Sequence, residues 1–309
     1  SVCRKYVNGC PGVKADVGFA DGSSNPYPHV MLGSGLNCMP RAACIDRTWL
    51  KNLEHLFNTT SKSVSKADLF MPEACNMPYI ERNGQGEVLL YASFRFGLYI
   101  DFLKGHNVFS NESSTRIVME IGAGWGGLAT LMKHLMPGWR YIILDIPTIL
   151  PLQMSYVHHD GFRRIRTLKT NATRADVATL LCCTEFDFLF ILPHQVDLLP
   201  DLSVDVTINL DSMVEMPINS MNHYLSHIAR VSHWFYANNR QGKHNGWPYF
   251  RASITPRLLK HAWHIVVDQK APFVLPGANT LPYAKMNDNV MMGGLHTHLL
   301  LRGNASRPT

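Results

Sequence analysis

Apolar residues recur along this chain in two rhythms, and the rhythm changes near residue 117. Upstream, residues 47–57 place Leu50, Leu53, Leu56 and Phe57 on one face of a predicted helix. Residues 88–102 carry Leu89, Leu90, Tyr91, Phe94, Phe96, Leu98, Tyr99 and Phe102, which predicts a buried helix. Residues 1–45 are rich in Gly, Pro, Asn and Ser and predict loops. The polar stretch 107–116 predicts a boundary. From 117 onward, short apolar runs alternate with amphipathic ones. Ile117-Val118-Met119 predicts a strand, and Leu128, Leu131, Met132 and Leu135 predict a helix that ends at Pro137-Gly138. Further strands are expected at 141–144, 186–192, 204–210 and 233–237, with late ones at 265–268 and 296–301. Pro147 is expected to open one helix, since proline suits a first helical turn, and Pro217 another that runs to about 231.

Strands alternating with helices predict an α/β fold, a mostly parallel sheet with helices on both faces. The expected division is an N-terminal, mainly helical and loop extension over 1–110, serving as lid, substrate or oligomer region, and a sheet domain over 111–309.

The chain has 309 residues, 46% of them hydrophobic and 17% charged, which is ample for a large core and excludes a disordered composition. No apolar run is long enough for a membrane span. The net charge of +6 comes from scattered basic residues, with Arg163, Arg164 and Arg166 as the one compact group. These read as solvated surface, and no stripe calls for a nucleic-acid partner. Seven cysteines, an odd count without a CxxC pair, argue against a disulfide scaffold, and Cys182-Cys183 reads as core. No signal-peptide pattern opens the sequence, so a cytoplasmic location is expected. Asn-x-Ser/Thr triplets at Asn58, Asn111, Asn171 and Asn304 leave a secretory route open. A homo-oligomer is compatible with all of this.

The chemistry centres on Glu120-Ile121-Gly122-Ala123-Gly124-Trp125-Gly126-Gly127, placed where a strand gives way to a helix. Glycines there let the backbone turn sharply and approach a nucleotide-like ligand, and a helix N-terminus offers unpaired N–H groups. Asp145, closing the next strand, is positioned to accept hydrogen bonds from ribose hydroxyls. Gly122, Gly124 and Gly127 also satisfy the dinucleotide GxGxxG spacing, so a nicotinamide-dependent oxidoreductase is an alternative. Glu120 favours the other reading. A carboxylate suits the ammonium and sulfonium charges of S-adenosylmethionine and suits a pyrophosphate badly.

The segments 120–129 (Glu-Ile-Gly-Ala-Gly-Trp-Gly-Gly-Leu-Ala), 144–147 (Leu-Asp-Ile-Pro), 192–200 (Leu-Pro-His-Gln-Val-Asp-Leu-Leu-Pro) and 208–217 (Ile-Asn-Leu-Asp-Ser-Met-Val-Glu-Met-Pro) occur in this order. Over about 85–250 they resemble the sugar O-methyltransferase family, a branch of the class I methyltransferases. The resemblance implies a Rossmann-like class I sheet and the donor S-adenosylmethionine. It places Glu120, Gly122, Gly124 and Trp125 at the methionine end, Asp145 at the ribose, Ile146 against the adenine with Leu192, Pro193, His194 and Gln195 flanking it, and Asn209 to Ser212 facing the transferred methyl.

The expected partner is a sugar or other small hydroxylated substrate. A sugar hydroxyl needs a base as the new bond forms, and the candidates are Asp211, Glu215 and His223, the last two eight residues apart on one helix face if the helix is regular. Asn238, Asn239, His244, Trp247 and Tyr249 combine polar and aromatic groups suited to a sugar. Asp211 could help hold a divalent cation, but the neutral Asn238-Asn239 weakens an all-carboxylate site, and the alternating His296 and His298 are a weak metal signal. No metal ligand set is assigned. The alternatives are a methyltransferase for a phenol or natural product, and a catalytically inactive interaction module.

Overall fold

A computed structural model describes residues 47–73, 79–109, 116–183, 186–240, 263–270 and 296–303. The chain divides into two compact units. The first comprises Ser1–Ser113, Ala123–Gly138 and Asp145–Ile165, and the second Ser114–Gly122, Trp139–Leu144 and Arg166–Thr309.

In the first unit lie helices α1 (Arg47–Thr60), α2 (Tyr91–Gly105), α3 (Gly127–Leu135) and α4 (Leu150–His159), with three short strands, β1 (Phe70–Pro72), β2 (Glu81–Arg82) and β3 (Glu87–Leu89). The helix expected over 88–102 therefore starts later. The backbone of β3 is taken by antiparallel partners on both sides, Phe70↔Leu89 in β1 and Glu81↔Leu89 in β2, so helix begins only at Tyr91. α1 and α2 approach closely at Gly97, where a Cβ would crowd the Phe57 ring and Leu69, and Phe57 meets Phe94 edge-on at 5.4 Å. Pro147 does not open a helix. The amides of Ile149 and Leu150 both donate to the Ile146 carbonyl, which makes a turn, and the first-turn proline of α4 is Pro151.

The second unit is built on β4 (Ile117–Ile121), β5 (Arg140–Leu144), β6 (Ile165–Thr167), β7 (Phe188–Ile191), β8 (Val204–Leu210), β9 (Ser232–Arg240), β10 (His264–Lys270) and β11 (His296–Arg302). Its helices are α5 (Arg174–Cys183) and α6 (Ile218–Val231). The strands form one sheet in the order β10-β11-β9-β8-β4-β5-β7-β6. β4 pairs parallel with β5 and β8, β5 with β7, and β8 with β9. β11 runs antiparallel to both β9 and β10.

Burial explains why these segments are strands. Met119, Ile142, Leu144, Leu189, Ile191, Phe235, Ala237, Leu299 and Leu301 line one face and pack with Val177 and Leu181 of α5 and Met221, Leu225 and Ile228 of α6. The alternate positions Val118, Tyr141, Ile143, Phe188, Phe190, Val206, Ile208 and Tyr236 are buried too, as continuous apolar runs require of a parallel sheet. Four elements escaped the sequence reading, β6 and α5 here and the short β1 and β2 of the first unit. Arg163, Arg164 and Arg166 are exposed as expected. Cys182, expected in the core, is exposed near the end of α5.

The path of the chain sets the binding edge. It steps outward from β4 to β5 and on to β6 at the edge, comes back to set β7 between β5 and β6, then crosses to the other side of β4 for β8 and β9. Strand order thus reverses between β4 and β8. The carboxyl ends of strands at such a reversal are where open α/β sheets hold ligands.

Candidate functional site

At the carboxyl end of β4 the backbone is pinned by polar side chains. The Ile121 carbonyl accepts from Asn209 Nδ2 at 2.9 Å and from Ser212 Oγ at 2.9 Å. The Gly122 amide donates to the Leu144 carbonyl of β5 at 2.9 Å, and Gly122 has φ +72°. A Cβ at Gly122 would run into the Ser212 side chain, so geometry and space both require glycine. Glu120 is buried within β4, and Tyr141 Oη donates to its Oε2 at 2.8 Å. Burial, then the Glu120 charge, pushes the Tyr141 hydroxyl well above its ordinary pKa, so it remains a donor.

Asn209 is buried at the end of β8. Its Oδ1 accepts from the Met213 amide at 3.3 Å and from Asn239 Nδ2 at 3.0 Å. Asn238 and Asn239 are both buried on β9. Asp211 follows β8 in the left-handed region, φ 57°, and its amide donates to the Asn238 carbonyl at 3.1 Å. The structure thus brings Asn209, Asp211, Ser212, Asn238 and Asn239 together at one strand end. It separates the other two base candidates. Glu215 is exposed in the 3-10 turn Met213–Glu215, ahead of Pro217, so it does not share a helix face with His223. His223 stands on α6 beside His227 and Asp197.

The second group of predicted residues lies in the first unit. Gly124 has φ +56°, and a Cβ there would meet nothing within 4 Å. Trp125 is buried, edge-on to Tyr156 with ring centroids 4.6 Å apart, and it fills the space a Cβ on Gly127 would need. Asp145 Oδ1 accepts from the Ile146 amide at 2.8 Å, and its Oδ2 accepts from Gln153 Nε2 at 2.6 Å. The same Nε2 donates to the Gly124 carbonyl at 2.9 Å. One amide therefore ties the glycine loop to the acidic residue. Burial raises the Asp145 pKa from 3.8 to about 6, against the lowering effect of these hydrogen bonds. Gln153 is fully buried, and its Oε1 has no hydrogen-bond partner among the described residues. Sequence reasoning did not single it out. Ile146 is exposed, an apolar side chain left uncovered beside Asp145.

Pro193, His194 and Gln195 occupy the 3-10 turn Pro193–Leu198 that follows β7. Gln195 is buried and its Oε1 accepts from the Leu192 amide at 2.9 Å, while His194 is exposed. His244, Trp247 and Tyr249 lie outside the described residues. His298 is buried on β11, with Tyr236 Oη 2.7 Å from its Nδ1.

A parallel sheet with its order reversed at β4, an antiparallel β11 inserted between β9 and β10, and a glycine loop leaving β4 together define the class I methyltransferase fold. No known family's sequence pattern and no curated protein matches the chain. Among solved structures it is similar to the mitomycin 7-O-methyltransferase, at 10% identity and TM-score 0.40, over 69% of this chain and 58% of that one. It is also similar to the magnesium protoporphyrin IX methyltransferase of Synechocystis PCC 6803 with bound SAH, at 12% identity and TM-score 0.42, over 69% and 88%. A third is the N,N-8-amino-8-demethyl-D-riboflavin dimethyltransferase of Streptomyces davawensis, at 12% identity and TM-score 0.40, over 69% and 58%. The chain spans a little over half the length of the mitomycin and riboflavin enzymes. No helix among the described residues is long and apolar enough to cross a membrane.

Proposed function

We propose that this chain is an S-adenosylmethionine-dependent O-methyltransferase whose acceptor is a hydroxyl of a sugar or glycoside. The observation that carries the donor is the Asp145 carboxylate, held by Gln153 and the Ile146 amide beside a glycine with open space at its Cβ position. A carboxylate fixed next to a backbone that leaves room for close approach fits a ribose diol. The exposed Ile146 offers an apolar surface for a flat base. A pyrophosphate would meet the Asp145 carboxylate, whose own charge is already opposed by burial, which disfavours the dinucleotide alternative.

When bound, the donor supplies an electrophilic methyl on a sulfonium sulfur. The residues of this chain would do the rest. Asp145 would accept from the ribose hydroxyls, its side chain held by Gln153. Glu120 gives the amino-acid end a negative field while Tyr141 holds the carboxylate in place. Of the three base candidates, Asp211 is favoured, because it alone stands in the polar cluster at the end of β8. It would take the proton of the acceptor hydroxyl, making the oxygen a better nucleophile. Asn238 and Asn239 lie on the neighbouring strand and would orient the acceptor. Positioning of the reacting atoms supplies much of the rate in such a displacement.

The test is in two parts. Calorimetry with S-adenosylhomocysteine should show binding, weakened in Asp145→Ala by about 1–3 kcal/mol, on the order of ten- to a hundred-fold. Methyl transfer from labelled donor is then assayed over sugars, glycosides and phenols. Turnover of sugars, lost in Asp211→Asn with donor affinity retained, supports the reading. Turnover of phenols alone moves the acceptor to the other class. Absence of donor binding overturns the reading altogether.

A further inference from the structure

We propose that Asp197, His223 and His227 form a binding site for a divalent transition-metal ion, with zinc as the expected occupant. The proposal does not rest on the methyltransferase reading. The carboxylate oxygen and the two imidazole nitrogens all lie within 4.8 Å of one another. Asp197 Oδ1 is 2.7 Å from His227 Nε2 and 3.8 Å from His223 Nε2. The two imidazole rings meet edge-on, with centroids 4.5 Å apart and planes 66° to each other.

The chain arranges this by simple means. His223 and His227 are four residues apart on α6, so they project from one face a helical turn apart. α6 is anchored by Met221, Tyr224, Leu225 and Ile228 packed in the core, which fixes the direction of the histidine pair. Asp197 comes from the 3-10 turn that follows β7.

The donor set selects the ion. Two imidazoles and one carboxylate suit zinc and its transition-metal neighbours, whereas magnesium and calcium prefer all-oxygen shells. Tetrahedral zinc with its ligands at about 2.0–2.2 Å sets neighbouring ligand atoms about 3.3 Å apart. The shorter carboxylate–imidazole separation must open by roughly 0.6 Å and the longer close by about 0.5 Å, and the two imidazole nitrogens, which lie within 4.8 Å of each other, must come to the same spacing, all by side-chain rotation. Asp197 and His223 are half exposed, so an ion has access and a water can complete the shell.

One contact opposes the ion. Arg230 Nη2 lies 3.2 Å from His227 Nδ1, and a metal on Nε2 leaves a proton on Nδ1. The same Nη2 also faces the carbonyls of Val196 at 3.2 Å and Asp197 at 3.4 Å, and these can keep the guanidinium when the imidazole is metallated. A bound ion would fasten the turn carrying Pro193, His194 and Gln195 to α6.

The experiment takes the full chain stripped of metal by chelator and dialysis. It is titrated with cobalt(II), read by visible absorption, and with zinc, read by calorimetry and thermal melting. The expected result is one saturable cobalt site displaced by one equivalent of zinc, with a rise in melting temperature. Asp197→Asn, His223→Gln and His227→Gln should each weaken zinc by about tenfold or more. The double variant His223→Gln/His227→Gln should lose the thermal shift. The half-exposed His223 carries the test if His227→Gln does not fold. Equal binding by wild type and variants would assign the ion to other histidines or cysteines and overturn the site, as would absence of a saturable cobalt spectrum.

Discussion

At residue 145 the fold holds a carboxylate where its charge is opposed. Burial raises the Asp145 pKa from 3.8 to about 6, so the folded chain binds this proton more tightly than the unfolded chain does. The stability contributed by the protonated group is fully present below about pH 4 and is lost as pH rises through about 6. In the absence of ligand, the stability of wild type relative to Asp145→Asn should fall as pH is raised from 4 to 8. The change should be at most about 3 kcal/mol, read from denaturant melts across that range. A flat difference would show that the carboxylate is not desolvated. Gly122 makes a second prediction. Its positive φ and the Ser212 side chain both exclude a Cβ, so Gly122→Ala should destabilise by about 2–4 kcal/mol in the same melts. Glycines and acids at strand ends were legible in sequence because their spacing is local. Gln153 was not, because it lies eight residues beyond Asp145 and only the folded helix brings its amide to both the loop and the acid.

Among the elements, legibility followed apolar density. β4, β5, β7, β8 and β9 were visible as runs because both of their faces are buried. β6 is half to fully exposed and has Arg166 at its centre, so it reads as surface. α5 shows a capping box, in which the Thr173 side chain accepts the Asp176 amide and Asp176 accepts the Thr173 amide, but it buries just Val177 and Leu181 in the core, with Leu180 packed partly against it. That is too thin a stripe to stand out. At the start of β4 a side chain does the work of register. Asp205 of β8 accepts from Arg116 Nη1 at 2.9 Å and from the Ile117 amide at 2.8 Å. Asp205→Ala removes a charged acceptor from both donors and should cost about 2–4 kcal/mol, measured by chemical denaturation. Asp205→Asn keeps one acceptor oxygen and should recover part of that loss. Absence of destabilisation in Asp205→Ala would mean that neither hydrogen bond contributes.

For the whole molecule, the alternation of strands and helices announced an α/β fold, yet the strand order was beyond reach. The return of the chain to set β8 beside β4 joins residues 118–120 to residues 206–208, and no local pattern encodes that pairing. The order has a measurable consequence. β4 is flanked by β5 and β8 and is buried along its length, so its amides open only when the sheet itself comes apart. β10 forms one edge of the sheet, with Ile265 and Val266 exposed and a register shift between Ile265 and Val267. A bulge at an edge weakens the ladder locally and discourages further strands from adding there. Native-state hydrogen exchange should therefore rank β4, β5 and β8 as most protected and β10 and β6 as least. Protection in the central strands should approach the global unfolding free energy. If β10 exchanged as slowly as β4, it would be a covered strand in solution and β4 would have lost its claim to be the centre of the sheet.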